Sequence, residues 1–308
     1  MSNSPYTIRN YQPTDFDRYV LLNIEVEKLE PTGRCTSPQV LSENLCRPNY
    51  SPEQDLFIAE TAGNIVGYMD VAPELNIGRV ILSCLIHPDH RRRGLATKLL
   101  GCATHRAKEL GVKLAQVNIL QDNVVAKSVL SKLGFKFVRR FLELRLDIPA
   151  VRWQDIDQTA LRYRRLQRGD EDKLTQIQNR SFAGTWGYNP NTVEEIIYYT
   201  NLANCSPEDV ILACDGDKIV GYCWTRITYE TTTDERKGQI FMLGVGPDYR
   251  GKGIGKGVLL AGLSYLKSKG LQVIELTVDS GNKAACALYR SVGFKVRTSS
   301  LWYDKSLN

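Results

Sequence analysis

The sequence contains no long hydrophobic run, few histidines and no closely spaced pair of cysteines. Its most apolar stretches, such as residues 80–86, fall well short of the roughly 18 residues that a membrane-spanning helix requires. The three histidines, at positions 87, 90 and 105, show no metal-ligand spacing, and none of the eight cysteines forms a C-x-x-C pair. We therefore expect no membrane association, no bound metal and no disulfide framework.

The chain also lacks a strong excess of charge of one sign. Its formal net charge is +6, and its sharpest basic tract, His90–Arg93, is followed at once by Gly94. No aromatic residues are interleaved with basic ones in the manner of a nucleic-acid-binding surface, so we expect no nucleic-acid partner. Met1–Pro5 carries neither the basic nor the apolar segment of a secretory signal, and we expect a cytoplasmic protein, monomeric or homodimeric.

What the sequence does contain is an ordinary globular composition over a length suited to two domains. Hydrophobic residues make up 43% and charged residues 24% of the 308 residues. Because single cores stop growing well below this length, two domains of about 150 residues are expected. We place them at residues 1–150 and 151–308, with the junction near residues 148–158.

An internal repeat supports this division. The pattern Arg91-x-x-Gly94-x-Ala96 recurs 159 residues later as Arg250-x-x-Gly253-x-Gly255, and the same spacing relates Asn123 to Asn282 and Gly134-Phe135 to Gly293-Phe294. Upstream, Ile65–Tyr68 recurs after only 154 residues as Ile219–Tyr222. The second copy therefore contains five extra residues, which we expect in a hairpin tip between Thr228 and Lys237.

The same order of elements is predicted in each copy. Short apolar runs flank turn residues at 62–64 and 215–217, which indicates hairpins, and a further apolar strand enters the Gly-rich loop. A helix follows, in whose second copy Leu259, Leu263 and Leu266 share one face. We predict an α/β fold of two tandem domains, each with a mixed, largely antiparallel central sheet flanked by helices.

The Gly-rich loop between strand and helix is suited to binding phosphate. Glycines let backbone N–H groups converge, and the start of the helix adds unpaired donors and partial positive charge. Such a loop can hold a pyrophosphate. Its occurrence twice in register, each time followed by Asn and by Gly-Phe, makes an ordinary turn an insufficient explanation.

These residues resemble the GNAT superfamily of acyl-CoA-dependent N-acyltransferases, over nearly the whole chain. The most specific segments are Val245–Gly255 (VGPDYRGKGIG) and Asn282–Phe294 (NKAACALYRSVGF). The resemblance implies acetyl-CoA, or another short acyl-CoA, as cofactor. It implies cofactor contacts in the C-terminal copy from Leu243, Gly244, Val245, Arg250, Gly251, Lys252, Gly253, Ile254, Gly255 and Asn282. The corresponding N-terminal residues are Leu85, Ile86, Arg91, Arg92, Arg93, Gly94, Leu95, Ala96 and Asn123.

The resemblance also implies that Tyr289 protonates the departing CoA thiolate. A phenol can donate that proton, and general acid catalysis is worth about 10²–10⁴-fold. The matching N-terminal residue is Leu130, which has no proton to give. We therefore expect the C-terminal domain to be catalytic and the N-terminal domain to be non-catalytic, with CoA binding there as an open alternative.

The tandem arrangement resembles the mycothiol synthase family in particular, but the expected general base is missing. That family implies a glutamate where this sequence has Gln239, which cannot accept a proton at neutral pH. Glu275, Asp279 and Glu235, the last beside Asp234, are the remaining base candidates, and a water relay is a further alternative. Cys286 lies among small apolar residues, which favours a packed thiol over a nucleophile.

The expected function is transfer of an acetyl group from acetyl-CoA to a primary amine of a small molecule, by direct attack in a ternary complex. Two alternatives stay open: a non-catalytic acyl-CoA sensor, and an acetyltransferase acting on a protein or peptide N-terminus.

Overall fold

The structure, a computed structural model, describes residues 5–32, 36–151, 153, 161–229 and 236–307. They form two compact units: the first contains the described residues up to Arg139 and from Leu301 onwards, and the second those from Arg140 to Ser300. Residues 152 and 154–158 of the expected junction lie outside the described residues. The domain boundary between residues 150 and 151 stays a prediction.

The first unit contains a sheet and the helices that cover it. Its elements in chain order are β1 (Thr7–Asn10), α1 (Phe16–Leu29), α2 (Pro38–Leu45), α3 (Pro52–Asp55), β2 (Leu56–Thr61), β3 (Asn64–Glu74), β4 (Arg79–Ile86), α4 (Leu95–Glu109), β5 (Leu114–Leu120), α5 (Val124–Lys132) and the start of β6 (Lys136–Asp147). The strands β1 to β5 are neighbours in that order, antiparallel except for the β4–β5 pair.

The second unit repeats this plan. It contains the remainder of β6, then β7 (Arg162–Arg165), α6 (Glu171–Phe182), α7 (Val193–Thr200), β8 (Val210–Asp215), β9 (Lys218–Tyr229), β10 (Arg236–Val245), α8 (Ile254–Ser268), β11 (Val273–Asp279), α9 (Lys283–Val292) and the start of β12 (Lys295–Ser306). The strand order is β6-β11-β10-β9-β8-β7, and only β10 and β11 are parallel. From Leu301 onwards β12 belongs to the first unit, beside β5.

Alternation along β9 divides the core of the second unit into two layers. Tyr222 and Trp224, both fully buried, pack with residues of α6 and α7, whereas Cys223 packs with α8. On α8, the predicted face of Leu259, Leu263 and Leu266 is completely buried. Helices therefore cover both faces of this sheet, and the predicted fold class is confirmed.

Both units also share an ion pair that the sequence comparison did not reveal. Arg9 Nη1 lies 2.6 Å from the carboxylate of Asp15, and Arg164 Nη1 lies 2.5 Å from that of Asp170. The hydrogen bond from the arginine lowers the pKa of each aspartate to about 2. The repeat thus extends upstream into β1 of the first unit and β7 of the second.

No helix among the described residues is both long and apolar enough to cross a bilayer. Their seven cysteines are free thiols, and Cys35 lies outside the described residues.

Candidate active site

A gap between two parallel strands opens beside the Gly-rich loop. Strands β10 and β11 pair only over residues 238–240 and 274–276, although β10 continues to Val245 and β11 to Asp279. On its other side β10 stays paired with β9 as far as Val245. The edge of residues 243–245 that faces the gap can therefore form main-chain hydrogen bonds with an extended ligand, as an exposed strand edge does.

The first unit opens in the same way. Strands β4 and β5 pair only over residues 79–81 and 114–116, and β4 then runs on to Ile86. Leu85 and Ile86 of the first unit thus correspond in place to Gly244 and Val245 of the second. The strand segments expected to contact a cofactor are similarly positioned in both copies.

A β-bulge distinguishes the second gap from the first. The register between β10 and β9 shifts at Phe241, between Ile240 and Met242, whereas β3 and β4 pair without interruption. One of the five extra residues of the second copy therefore lies in this bulge. The expectation that all five lie in the tip was wrong, because a register shift needs only one added residue inside the strand. Residues 230–235 of the tip lie outside the described residues.

The loop after β10 presents a row of unpaired amides. Gly251 and Gly253 have φ values of +73° and +79°, and α8 begins at Ile254. Among the described residues, the N–H groups of residues 251–255 donate no hydrogen bond. A Cβ atom added at Gly253 would meet nothing within 4 Å, so the amides border open space. This arrangement suits a pyrophosphate.

The first unit has a matching loop with one strained position. Gly94 has φ +77°, close to the value at Gly253, but Arg92 occupies the place of Gly251 with φ +61°. The N–H groups of residues 92–96 likewise donate no hydrogen bond among the described residues. A side chain in the left-handed region costs free energy that glycine avoids. The second loop is therefore the less strained of the two.

The first arginine of each loop motif, Arg91 or Arg250, anchors its loop through hydrogen bonds to a neighbouring segment. Arg250 donates from Nη2 to the carbonyl oxygen of Ser181 at 2.6 Å, and from Nε to that of Val245 at 3.3 Å. Arg91 donates to both carboxylate oxygens of Glu30, at 2.7 and 2.6 Å. The guanidinium of Arg91 thus holds the first loop to the end of α1, and that of Arg250 holds the second loop to α6.

Tyr289 lies on α9, in the core of the second unit. Its neighbour Leu288 is 3.5 Å from where a Cβ of Gly255 would stand, so α9 packs against the first turn of α8. Tyr289 is only 7% exposed, and its ring packs edge-on against Phe294. Burial raises the pKa of Tyr289 well above that of free tyrosine, so its phenol stays protonated at neutral pH. The corresponding Leu130 is buried in the core of the first unit.

The asparagines that follow each loop are helix caps. The side-chain oxygen of Asn282 accepts from the Ala285 N–H at 3.1 Å, and that of Asn123 accepts from the Ala126 N–H at 2.9 Å. Each satisfies an otherwise unpaired amide of the helix start. Cofactor contact by either asparagine stays a prediction.

Two of the candidate bases take part in structural contacts. The Glu275 carboxylate accepts from Arg297 Nη1 at 2.9 Å, and the Asp279 carboxylate accepts from the Gly281 N–H at 2.8 Å. Gln239 lies in register with Glu275 on one side. Glu235 and Asp234 lie outside the described residues. Cys286 is 5% exposed within the main core of this unit, as a packed thiol would be.

One arginine beside the gap was not predicted from the sequence as a site residue. Arg226 lies on β9 directly across from Gln239, and its guanidinium carbon is 3.3 Å from the ring centroid of Phe241. The signal was present in the strand pattern, since Tyr222, Trp224 and Arg226 share one face of an otherwise buried strand. A charged side chain on the same face as two buried aromatic residues indicates a candidate binding site.

The comparisons with known proteins agree with this geometry. The profile of the Acetyltransferase (GNAT) family matches residues 22–135 and 172–294. A mycothiol acetyltransferase from Amycolatopsis mediterranei is 30% identical over 255 residues, covering 80% of this chain and 83% of its own length.

Solved structures show the same fold at lower sequence identity. A GCN5-related N-acetyltransferase from Sphaerobacter thermophilus matches with a TM-score of 0.73 and 22% identity, covering 100% of this chain and 98% of its own. A tandem GNAT protein from the clavulanic acid biosynthesis pathway matches with a TM-score of 0.72 and 15% identity, covering 98% and 99%.

The class defined by the fold and the site is therefore that of acyl-CoA-dependent acyltransferases. The chain belongs to the GNAT acetyltransferase family, with one family domain in each half, and it is similar to mycothiol acetyltransferases. The predicted resemblance and the prediction of an acyltransferase enzyme are confirmed.

Proposed function

We propose that the second unit transfers an acetyl group from acetyl-CoA to a primary amine of a small molecule. The observation that carries the proposal is the combination, in this unit alone, of unpaired loop amides, a splayed strand and a buried tyrosine. The first unit has the first two features but has Leu130 where the second has Tyr289. A phosphate-binding loop alone implies binding, and a proton donor beside it implies turnover.

The residues of the second unit fit acetyl-CoA in three places. Amides of residues 251–255 would hold its pyrophosphate, and the open edge of residues 243–245 would pair with its pantetheine arm. Asn282 would contact the cofactor beside α9. When bound, acetyl-CoA supplies a thioester whose carbonyl carbon an amine can attack.

The chemistry then requires one proton donor and one proton acceptor. The attacking amine nitrogen would bond to the thioester carbon as the carbon–sulfur bond breaks, and Tyr289 would donate its phenolic proton to the departing sulfur. The ammonium proton would leave through water, and the tyrosinate would take a proton back from water. A water relay is favoured over Glu275 and Asp279 because both carboxylates already accept hydrogen bonds from protein groups, and Gln239 has no basic atom.

We further propose that the first unit binds a CoA-like ligand without turning it over, on the support of its matching loop and gap. This unit has a loop anchored by Arg91 and an open edge of β4, both suited to binding CoA. It has no tyrosine at the position of Tyr289 to donate a proton. The cytoplasm is the proposed compartment, because the described cysteines are free thiols and that compartment keeps thiols reduced.

Release of free CoA thiol from acetyl-CoA tests the enzymatic function. The amine panel contains amino acids, amino sugars, polyamines, cysteinyl-glucosaminyl-inositol and N-terminal peptides. We expect amine-dependent thiol release with at least one small amine and a matching acetylated product by mass spectrometry. Stoichiometric binding of CoA without thiol release across the panel would instead favour a sensor, and release only with peptides would favour an N-terminal acetyltransferase.

A further inference from the structure

Two of the three guanidinium nitrogens of Arg226, Nε and Nη2, are buried without a hydrogen-bond partner among the described residues. Arg226 as a whole is still partly exposed. Buried polar groups in native proteins are nearly always paired, and an exception calls for an explanation such as a ligand.

The immediate surroundings of this guanidinium are aromatic. Its carbon atom lies 3.3 Å from the ring centroid of Phe241, 5.4 Å from that of Trp224 and 5.8 Å from that of Tyr199. The faces of these rings attract a cation, but a ring face accepts no conventional hydrogen bond from the N–H groups of the guanidinium. Burial lowers the pKa of Arg226, which reflects the free-energy cost of this unpaired charge.

Among the described residues of the neighbouring strands, no carboxylate lies directly across from Arg226. Gln239, directly across on β10, is neutral, and Glu275 on the next strand is paired with Arg297. Asp209 also acts on Arg226 electrostatically, but its carboxylate accepts from the Tyr265 hydroxyl at 2.8 Å and from the Ser206 N–H at 2.7 Å. None of these three side chains forms a hydrogen bond or ion pair with Arg226.

The position of Arg226 connects it with the reaction. Its partner Gln239 stands just before the point where β10 and β11 separate, and Phe241, against which the guanidinium packs, is the bulged residue. Arg226 and Trp224 project from β9 toward the layer of α6 and α7, on the opposite face from α8. An amine approaching the gap from this face would pass the guanidinium.

We propose that Arg226 binds a carboxylate of the acceptor, so that the substrate is a small primary amine that also carries a carboxylate, as an amino acid does. Two parallel N–H groups of a guanidinium match the two oxygens of a carboxylate, and Nε with Nη2 is one such pair. This inference rests on the proposed acetyl transfer, and it specifies the chemical class of the amine that accepts the acetyl group.

Paired acceptors test this assignment. L-amino acids and short peptides would each be assayed beside the corresponding C-terminal carboxamide, by thiol release, with wild type, Arg226→Met and Arg226→Lys. For the wild type we expect kcat/KM to be higher for the acid than for its amide by about 10- to 100-fold, the range of a charged hydrogen bond. Arg226→Met, which keeps the apolar length, should abolish this preference, and Arg226→Lys should retain part of it.

The matched control is Arg165→Met, which removes an exposed arginine from β7 of the same unit. It should leave the acid preference unchanged. CoA binding by calorimetry and the unfolding temperature show whether each variant is folded.

The outcomes separate the two proposals. Equal use of acids and amides by the wild type, turnover of neutral amines alone, or an equal loss for both acceptors in Arg226→Met would overturn the carboxylate assignment and leave acetyl transfer standing. Binding of CoA without turnover of any amine would overturn both.

Discussion

Replacing Tyr289 by phenylalanine removes one oxygen atom from the site and little else. The ring is 7% exposed and packs edge-on against Phe294 at a centroid distance of 5.7 Å, a contact that phenylalanine preserves. No hydrogen bond from the Tyr289 hydroxyl is found among the described residues. The free energy of unfolding should therefore change by no more than about 1 kcal/mol.

The effect on catalysis should be much larger. A general acid contributes about 10²–10⁴-fold, and each tenfold loss corresponds to about 1.4 kcal/mol of activation free energy. Water can replace part of this proton donation, so we expect kcat to fall at least tenfold, and by about 10²-fold at the lower end of that range. CoA affinity should not change, because the residues that we propose to contact the phosphates and the pantetheine arm do not include Tyr289.

Steady-state thiol release gives kcat, and calorimetry gives CoA affinity. The matched control is Leu130→Met, at the corresponding position of the first unit, which should change kcat by less than about twofold because it conserves an apolar side chain. An unchanged kcat in Tyr289→Phe would remove Tyr289 from the mechanism.

The pH dependence of the wild type offers an independent check on Tyr289. Burial raises its pKa above the ordinary tyrosine value, so the phenol stays protonated as the pH rises to about 10. The kcat should therefore show no alkaline decline below about pH 10. A decline near pH 8 that is absent in Tyr289→Phe would contradict a buried acid with a raised pKa.

Three smaller perturbations test the framework of the second unit. Asp170→Asn should lower the free energy of unfolding by about 2 kcal/mol at neutral pH; because Arg164 lowers the pKa of Asp170 to about 2, the difference should disappear as the pH falls from about 4 toward 2 in denaturant titrations. Arg250→Met should weaken CoA binding measured by calorimetry, because the loop loses its hydrogen bond to the Ser181 carbonyl. Asn282→Ala should lower the unfolding temperature through loss of a helix cap worth about 1 kcal/mol.

The sequence predicted the fold and the Gly-rich loop before α8 because local physics dominates there. Glycines at 251 and 253 are needed for positive φ, and the apolar face of α8 follows from leucines at helical spacing. The hairpins follow from their turn residues. Each of these signals is confined to neighbouring residues of the chain.

The features that were missed depend on contacts between distant segments. The bulge at Phe241 is a property of how β10 pairs with β9, and the bracing by Arg250 joins residues far apart in the chain. The environment of Arg226 combines β9, β10 and α7, and its unpaired donors become visible only after packing. No window of sequence contains that information.

The most direct test of the central claim, that the second unit is the catalytic one, compares the same substitution in the two loops. Gly253 and Gly94 have φ values of +79° and +77°, and a Cβ atom at either would meet nothing within 4 Å. Aspartate tolerates this backbone better than most residues and would place a negative charge beside a phosphate, whereas asparagine is its neutral control.

The measurement is kcat/KM for acetyl-CoA in Gly253→Asp and Gly94→Asp, each beside its asparagine counterpart. We predict that Gly253→Asp nearly abolishes turnover, that Gly253→Asn is affected less, and that both Gly94 variants keep turnover within about threefold of the wild type. Loss of turnover in Gly94→Asp with normal activity in Gly253→Asp would place the catalytic site in the first unit and contradict the account.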